Sequence, residues 1–397
     1  MVFSIEQHTD NIELSEMPIT LKKLLKDARL EYRNARGREL RQKYVVIESD
    51  DWGSIRQPSK KVYLEQVERL GKEIDDPFFR YDSVETDEDL EALFAVLEKH
   101  TDCNGHPAVI TADYAVANPS FASIRKSGFD GYTYETIDQT YAEYDGSGKA
   151  LSLALQGLER GIWKPQLHCR EHLQIARWMK ALQDGDPEVR WAFEHNMIST
   201  ANAIEPLNHY AFMDAFAYSE GEYAQVEGIV SDAAKQFRRL FGYDSKTFVA
   251  SCYVWNDALE RALKKHGIHS MQAGWYQWIP DEKKAGSLKK KRLYMGLRSA
   301  NQSYTVRNCL FEPSLFGADE SAELCMRQIA SAFRWGQPAI ISSHRVNYMS
   351  RLERSNRNAN LELLNELLAR MLSRWPDIMF VSSDQLAEKY EENDHGN

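Results

Sequence analysis

The sequence predicts an α/β fold built on a parallel sheet or barrel. Short apolar, β-branched runs alternate almost throughout with longer stretches of helical periodicity, which is the pattern of strands joined by crossover helices. Polar clusters follow three of these runs directly, where strands would open into loops. The predicted strands are Lys43–Ser49, His106–Ala112, Trp163–His168, Lys246–Ser251, Pro338–Ser343 and Ile378–Ser383. The predicted helices are Asp87–Lys99, His172–Leu182, Ala224–Leu240, Asp257–His266, Ser321–Arg334 and Asn360–Arg374.

A helical segment precedes the first strand. Between Ile19 and Arg41, leucines and alanine recur at helical spacing among charged residues. We expect residues 1–42 to form a helical extension that packs on the barrel. Residues 43–397 are expected to form one elaborated domain, because α/β barrels take about 250 residues or more as a single unit.

The composition is that of a folded, acidic protein. Of the 397 residues, 43% are hydrophobic, and 59 acidic residues against 49 lysines and arginines give a formal net charge of -10. This sign argues against nucleic acid or an anionic membrane as a partner. The chain shows no leader pattern and no apolar stretch long enough to span a bilayer, so we expect a cytoplasmic protein. The five cysteines lack metal-site spacing and are expected to be free thiols.

Two segments late in the chain have open interpretations. Asp281–Arg292 turns basic around a central Gly-Ser pair, which favours a surface hairpin over a phosphate-contacting loop. Gly274–Pro280 concentrates three aromatic residues in a predicted loop. Such rings either stack on sugars or seal the edge of a core.

Polar side chains gather at the ends of three predicted strands. In sequence order they are Asp50, Asp51, His168, His172 and His344. The carboxyl ends of parallel strands meet at one face of a barrel, where active sites assemble. We therefore expect these five side chains to form one site.

Two histidines and one carboxylate are the usual protein ligands of a catalytic zinc ion. His168 and His172 are four residues apart, so both imidazoles point the same way if a helix begins there. Asp50 or Asp51 supplies the carboxylate. In the alternative interpretation, one histidine caps a helix, the other packs in the core, and the aspartates form a turn.

These motifs resemble those of the NodB-homology polysaccharide deacetylases, the carbohydrate esterase family 4 group. The aspartate pair is similar to the family's first motif, the histidine pair to its second and the late histidine to its fifth. Ser251–Met271 is similar to the third motif region, and the resemblance extends over roughly Tyr44–Leu386. It implies a deformed (β/α) barrel of the glycoside hydrolase/deacetylase type.

The resemblance also implies a reaction and roles for named residues. The reaction is metal-dependent removal of an N-acetyl or similar acyl group from an amino sugar or glycan precursor, with a divalent metal ion, most simply Zn²⁺. Asp50 is implied as general base, His344 as general acid, and Asp51, His168 and His172 as metal ligands. Substrate contacts are expected from Tyr253, Trp275, Arg170 and Arg345.

Three features depart from the family pattern. Trp52 separates the aspartates from Gly53, and Ser251–Tyr253 stands where the family has an arginine that steadies the base. We expect Arg56, Arg170 or Arg345 to supply that guanidinium. The fourth motif, a paired aspartate and tryptophan, is absent from its expected place. The departures leave open a hydrolase of another C–N or glycosidic bond, or a carbohydrate-binding protein without turnover.

Overall fold

The computed structural model describes residues 19–201, 212–281 and 287–395, and its secondary structure is as follows. The strands are β1 Tyr44–Trp52, β2 Ile110–Ala115, β3 Ala117–Pro119, β4 Tyr134–Thr136, β5 Trp163–Cys169, β6 Thr247–Val249, β7 Ser270–Ala273, β8 Tyr276–Pro280, β9 Leu288–Arg292, β10 Ser303–Val306, β11 Cys309–Leu310, β12 Ala339–His344 and β13 Met379–Phe380. The helices are α1 Ile19–Asn34, α2 Lys60–Leu70, α3 Pro77–Arg80, α4 Asp87–Leu97, α5 Phe121–Lys126, α6 Ile137–Glu143, α7 Ala150–Glu159, α8 Ile175–Asp184, α9 Pro187–Glu194, α10 Tyr223–Phe241, α11 Asp257–Lys265, α12 Pro313–Phe316, α13 Ala318–Arg334, α14 Arg354–Arg374 and α15 Ser383–His395.

One curled parallel sheet organises the molecule. Its strand order is β10-β7-β6-β5-β2-β1-β12-β11, with β13 paired to the start of β1. The two edge strands, β10 and β11, are consecutive in the chain and are separated only by Arg307 and Asn308. Three residue steps span at most about 11 Å, so the two edges of the sheet lie close together. The predicted α/β fold is confirmed, and the sheet forms a deformed (β/α) barrel.

The central strands of the barrel are buried on both faces. Every residue of β1 and of β2 is buried, as expected for parallel strands covered by helices. Each of the six predicted strands has a counterpart, although the last is reduced to Met379–Phe380. The short strands β7, β10 and β11 were not predicted.

Two antiparallel hairpins lie outside the barrel sheet. β3 pairs with β4, and β8 pairs with β9. The second hairpin ends in the segment predicted as a surface hairpin, Asp281–Arg292, of which residues 282–286 lie outside the described residues. The prediction of a loop over the aromatic segment was wrong, because Tyr276–Pro280 is a strand.

The helix α1 packs beside the junction of β10 and β11. The side chain of Asn34 donates to Ser331 Oγ at 3.0 Å and accepts from the side chain of Asn308 at 3.2 Å. This contact agrees with the expected packing of the N-terminal extension, whose domain boundary stays a prediction. In the described part of the chain, no helix has both the length and the apolar character needed to cross a bilayer.

Candidate metal centre and active site

The site begins in a tight turn at the end of β1. Asp51 has φ of 76° and Gly53 has φ of 77°, both in the left-handed region. Glycine is required at the second position, because an added Cβ would lie 2.5 Å from the carbonyl oxygen of Ala115. The turn directs the neighbouring aspartates to different partners, Asp50 to an arginine and Asp51 to two histidines.

Asp51, His168 and His172 form one buried cluster. Asp51 Oδ1 lies 3.6 Å from His168 Nε2 and 3.2 Å from His172 Nε2. Ligands about 2.0–2.1 Å from a tetrahedral ion are about 3.3 Å apart, so both separations fit a shared cation. Within the described residues, this is the one such group whose ligand atoms all lie within 4.8 Å of each other.

The tautomer of His168 supports a metal-ligating role. Its Nδ1 lies 2.8 Å from the carbonyl oxygen of Val249, which only accepts, so Nδ1 carries the proton. The other nitrogen, Nε2, is buried and has no hydrogen-bond partner in the described structure. Its lone pair therefore faces the cluster, as a metal ligand requires.

The protonation states of the cluster also suit a cation. Burial lowers the pKa of His172 to about 4, so its ring is neutral at neutral pH. Burial acts to raise the pKa of Asp51, but His172 and Arg56 hold it well below its ordinary value. His172 lies in a loop, which corrects the expected helix from His172, since α8 begins only at Ile175.

Arg345 is fully buried, which corrects the expectation that it contacts substrate. Its guanidinium donates to both oxygens of Asp82, at 2.9 and 3.4 Å, and to Glu85 at 2.9 Å. Asp82 also lies 3.3 Å from Arg56 Nε, and Glu85 accepts from the Gly53 N–H at 2.9 Å. Arg345 therefore anchors the turn that follows β1.

The base candidate, Asp50, is held by Arg307. Two guanidinium nitrogens donate to its two oxygens at 2.5 and 2.7 Å, and the third donates to Glu48 at 2.6 Å. A further acid, Asp113, lies 3.3 Å from Arg307 Nη2. Burial acts to raise the pKa of Asp50, but Arg307 outweighs it and lowers the pKa to about 2.

Arg307 thus supplies, beside the base candidate Asp50, the guanidinium that the sequence pattern lacked at Ser251–Tyr253. The expectation that Arg170 or Arg345 supplies it was wrong, and Arg56 contacts Asp51 instead, at 3.2 Å. Arg307 directly follows β10 and extends its ladder, donating from its backbone N–H to Ala273.

The acid candidate, His344, lies opposite Asp50 in the register of β1 and β12. Its Nε2 is 3.8 Å from Asp50 Oδ2, and its Nδ1 is 2.6 Å from Glu312 Oε1. Burial acts to lower the pKa of His344, but Glu312 raises it to about 9. Glu312, which the sequence analysis missed, also accepts from Asn347 at 2.7 Å and is fully buried.

Replacing Glu312 with glutamine is expected to shift the alkaline limb of the pH–activity profile to lower pH. The raised pKa of His344 keeps its ring protonated below pH about 9, and the charge of Glu312 is the cause. Glutamine keeps the hydrogen bond to Asn347 but removes that charge. The profile of kcat against pH measures the shift.

The exposed Glu353 provides the control for this experiment. Glu353→Gln is expected to leave the alkaline limb in place. An unchanged limb in Glu312→Gln would contradict the role of Glu312 in setting the pKa of His344.

Of the remaining substrate candidates, only Tyr253 joins the site. Its hydroxyl lies 3.4 Å from Arg307 Nη1, and its backbone has φ of 53°. Trp275 is buried, and Arg33 lies over its ring at 5.2 Å, which closes that face to a sugar. Arg170 forms ion pairs with Glu171 and Asp232 and so braces the loop between the two histidines.

No family model and no curated protein match the chain. Solved structures that match include a candidate glycoside hydrolase/deacetylase of Parabacteroides distasonis, at 10% identity and a TM-score of 0.47, over 88% of this chain and 71% of that one. A candidate polysaccharide deacetylase of Mycobacterium smegmatis matches at 9% identity and a TM-score of 0.43, over 90% and 94%. The 4-alpha-glucanotransferase of Thermococcus litoralis matches at 11% identity and a TM-score of 0.42, over 88% of this chain but only 41% of its own length.

The matching structures thus include one named as a polysaccharide deacetylase and one named as a glycoside hydrolase/deacetylase, both at low sequence identity. Each of these TM-scores lies below 0.5, and the fold rests on the strand order of the sheet.

Proposed function

We propose that this chain is a metal-dependent hydrolase that removes an acyl group from the nitrogen of an amino sugar or glycan precursor. One observation carries the proposal. The Asp51–His168–His172 cluster has a carboxylate–guanidinium pair beside it, Asp50–Arg307, and a histidine–carboxylate pair, His344–Glu312. Amide hydrolysis needs these parts: a cation site, a base for water and an acid for the amine.

Each group of side chains in the site has its own role in the proposed reaction. Asp51, His168 and His172 would hold a divalent cation, most simply Zn²⁺, which supplies Lewis-acid polarisation of a carbonyl and lowers the pKa of water. Asp50, ionised above pH about 2, accepts the proton of the attacking water. His344, protonated below pH about 9, donates a proton to the departing amine. The products are a carboxylic acid and a free amine.

The same contacts give less support to the two alternative functions, a binding protein without turnover and a glycosidase. The missing arginine and fourth motif suggested a binding protein without turnover. Arg307 supplies the missing guanidinium beside Asp50, and Glu312 pairs with His344. A glycosidase needs a second acid facing Asp50 across the substrate. The neighbouring acids Glu48 and Asp113 are fully buried against Arg307 and are closed to a glycosidic oxygen.

The test of the proposal combines metal content with acyl release. Wild-type protein purified without chelator is expected to hold about one zinc-like ion per chain and to release acetate from an acetylated amino-sugar panel. The double variant His168→Ala plus His172→Ala is expected to lose both, because two of three protein ligands are gone.

A second histidine pair provides the matched control. His266 and His269 follow α11, where His266 is half-buried and His269 is exposed. The double variant His266→Ala plus His269→Ala is therefore expected to keep both metal and activity. A folded wild-type protein that binds no metal would refute the proposal. If the protein binds stoichiometric metal and hydrolyses a non-sugar amide but releases no acetate from the sugars, the hydrolase proposal stands and the sugar substrate is wrong.

A further inference from the structure

The two oxygens of the Asp51 carboxylate face different partners. Oδ1 lies 3.6 Å from His168 Nε2 and 3.2 Å from His172 Nε2. Oδ2 instead accepts a hydrogen bond from Arg56 Nη2 at 3.2 Å. One oxygen therefore faces the proposed metal ligands, and the other is engaged by a cation.

The guanidinium of Arg56 is held in this position from two further sides. Its Nε lies 3.3 Å from Oδ2 of Asp82, which is fully buried. The ring of Phe78 lies against it, with the guanidinium carbon 5.7 Å from the ring centroid. Because a guanidinium is planar and its nitrogens point in fixed directions, the contact of Nε with Asp82 also fixes the direction of Nη2 towards Asp51.

The carboxylate of Asp82 connects this contact back to the turn after β1. Arg345 donates to Asp82 at 2.9 Å and to Glu85 at 2.9 Å, and Glu85 accepts from the backbone N–H of Gly53. Gly53 is two residues after Asp51, so the buried charges form a closed ring around the turn. Asp51 has φ of 76°, which is unfavourable for a residue with a side chain and persists only where the surroundings fix it. The ring fixes both the backbone and the carboxylate of Asp51.

The number of oxygens that a carboxylate offers affects which cation a site prefers. Zinc is usually tetrahedral and suits imidazole ligands, whereas manganese is usually octahedral and suits carboxylate oxygens. With Oδ2 of Asp51 engaged by Arg56, the cluster offers two imidazole nitrogens and a single oxygen. This set of ligand atoms fits zinc better than manganese.

We propose that Arg56 is a positioning residue that restricts Asp51 to a single ligand oxygen and thereby sets the preference of the site for zinc over manganese. The inference rests on the metal site of the proposed function and adds the side chain that controls its coordination. A guanidinium that only stabilised the fold would affect unfolding, but not the number of oxygens that Asp51 gives to a bound ion.

Cobalt(II) bound in place of zinc tests the coordination directly, because the visible spectrum of cobalt depends on its coordination geometry. Tetrahedral cobalt absorbs severalfold more strongly than cobalt with more ligands. Arg56→Met fills similar space but has no donor, so it frees Oδ2 and is expected to lower the absorption per bound cobalt severalfold relative to the wild type. An unchanged spectrum in the folded variant would overturn the inference.

A second variant covers the case in which Arg56→Met does not fold. In Arg56→Gln, the amide ends where the Nε of arginine lay, so it can still donate to Asp82 but is too short to reach Asp51. We expect the same loss of cobalt absorption, and a spectrum like that of the wild type would again overturn the inference.

Competition with a chromogenic chelator measures the affinities for zinc and manganese in the same proteins. Arg56→Met is expected to lower the ratio of zinc affinity to manganese affinity at least tenfold, since changes at groups that hold metal ligands typically alter metal affinity by about 10- to 100-fold. Arg80→Met, at an exposed arginine of α3, is the matched control and is expected to keep both the spectrum and the ratio. Equal ratios in the two variants would overturn the role of Arg56 in metal preference.

The same measurements separate this inference from the proposed function. Metal binding without cleavage of any amide would contradict the proposed function, and the cobalt spectra would still decide the role of Arg56. Amide cleavage by the wild type, together with identical spectra for the wild type and Arg56→Met, would refute the inference alone. A folded wild-type protein that binds no metal would overturn both.

Discussion

Replacing Arg307 with methionine is expected to lower the free energy of unfolding at pH 7 by about 3–5 kcal/mol, the cost of removing one partner of a buried ion pair. Arg307 bonds to Glu48 and Asp50 and lies 3.3 Å from Asp113, and all three acids are buried. Methionine fills similar space but leaves these carboxyl groups without a cation. Denaturant titration measures the loss.

The loss should depend on pH in a defined direction. In the wild type, Arg307 lowers the pKa of Asp50 to about 2. The ionised Asp50 therefore stabilises the folded state at every pH above the ordinary pKa of aspartate, and this contribution is lost as the pH falls through 2. In Arg307→Met, burial dominates and raises the pKa of Asp50. The deficit is therefore expected to shrink between pH 7 and pH 4.

An exposed arginine provides the control. Arg334 pairs with Glu31 at the surface, and Arg334→Met is expected to cost under about 1 kcal/mol. A deficit in Arg307→Met no larger than that of Arg334→Met would contradict the buried ion-pair network.

Replacing Asp50 with asparagine is expected to lower kcat by about 100- to 10,000-fold while the protein keeps its metal. Asparagine has nearly the same shape but cannot take a proton from water, and general base catalysis contributes about that factor. Asp50 contacts Arg307 and lies 3.8 Å from His344. The proposed ligands His168 and His172 instead lie 3.6 and 3.2 Å from Asp51. Metal analysis and steady-state kinetics on the same sample measure both quantities.

The adjacent aspartate offers a matched comparison. Asp51→Asn is expected to lose metal as well as activity, because Asp51 Oδ1 lies 3.6 Å from His168 Nε2 and 3.2 Å from His172 Nε2. Metal loss in Asp50→Asn, or a kcat within tenfold of wild type, would contradict the division of roles between the two aspartates.

Residues at the ends of apolar strands could be located from the sequence. Asp50 and His344 lie near the ends of strands with buried β-branched residues, and His168 lies near the end of a largely buried strand. The rule that barrel sites lie at strand carboxyl ends brought the three together. Arg307 obeys the same rule but was missed. Its strand, β10, has only the four residues Ser303–Val306, which is too short to stand out in the sequence as a strand.

The weak signal has a physical cause in the neighbourhood of Arg307. Gln272 of the neighbouring strand β7 is fully buried and accepts from Arg307 Nη2 at 3.0 Å. A buried polar residue such as Gln272 interrupts the apolar run by which a buried strand is recognised. Glu312 was missed for a related reason, since β11 before it has only two residues. The pairs Arg307–Asp50 and Glu312–His344 depend on which strands are neighbours in the sheet, and the order of residues along the chain does not show this.

The junction at Arg307 and Asn308 also bears on self-association. Edge strands with unpaired backbone groups can add a strand from another molecule and so begin aggregation. Here the two edges of the sheet belong to β10 and β11, which the chain holds close together, and the side chain of Asn308 already pairs with the β12 backbone at Ile340. Asn34 at the end of α1 contacts the same junction. The curled sheet thus protects its own edges from pairing with another molecule. The two residues that join these edges, Arg307 and Asn308, also include the arginine that binds Asp50.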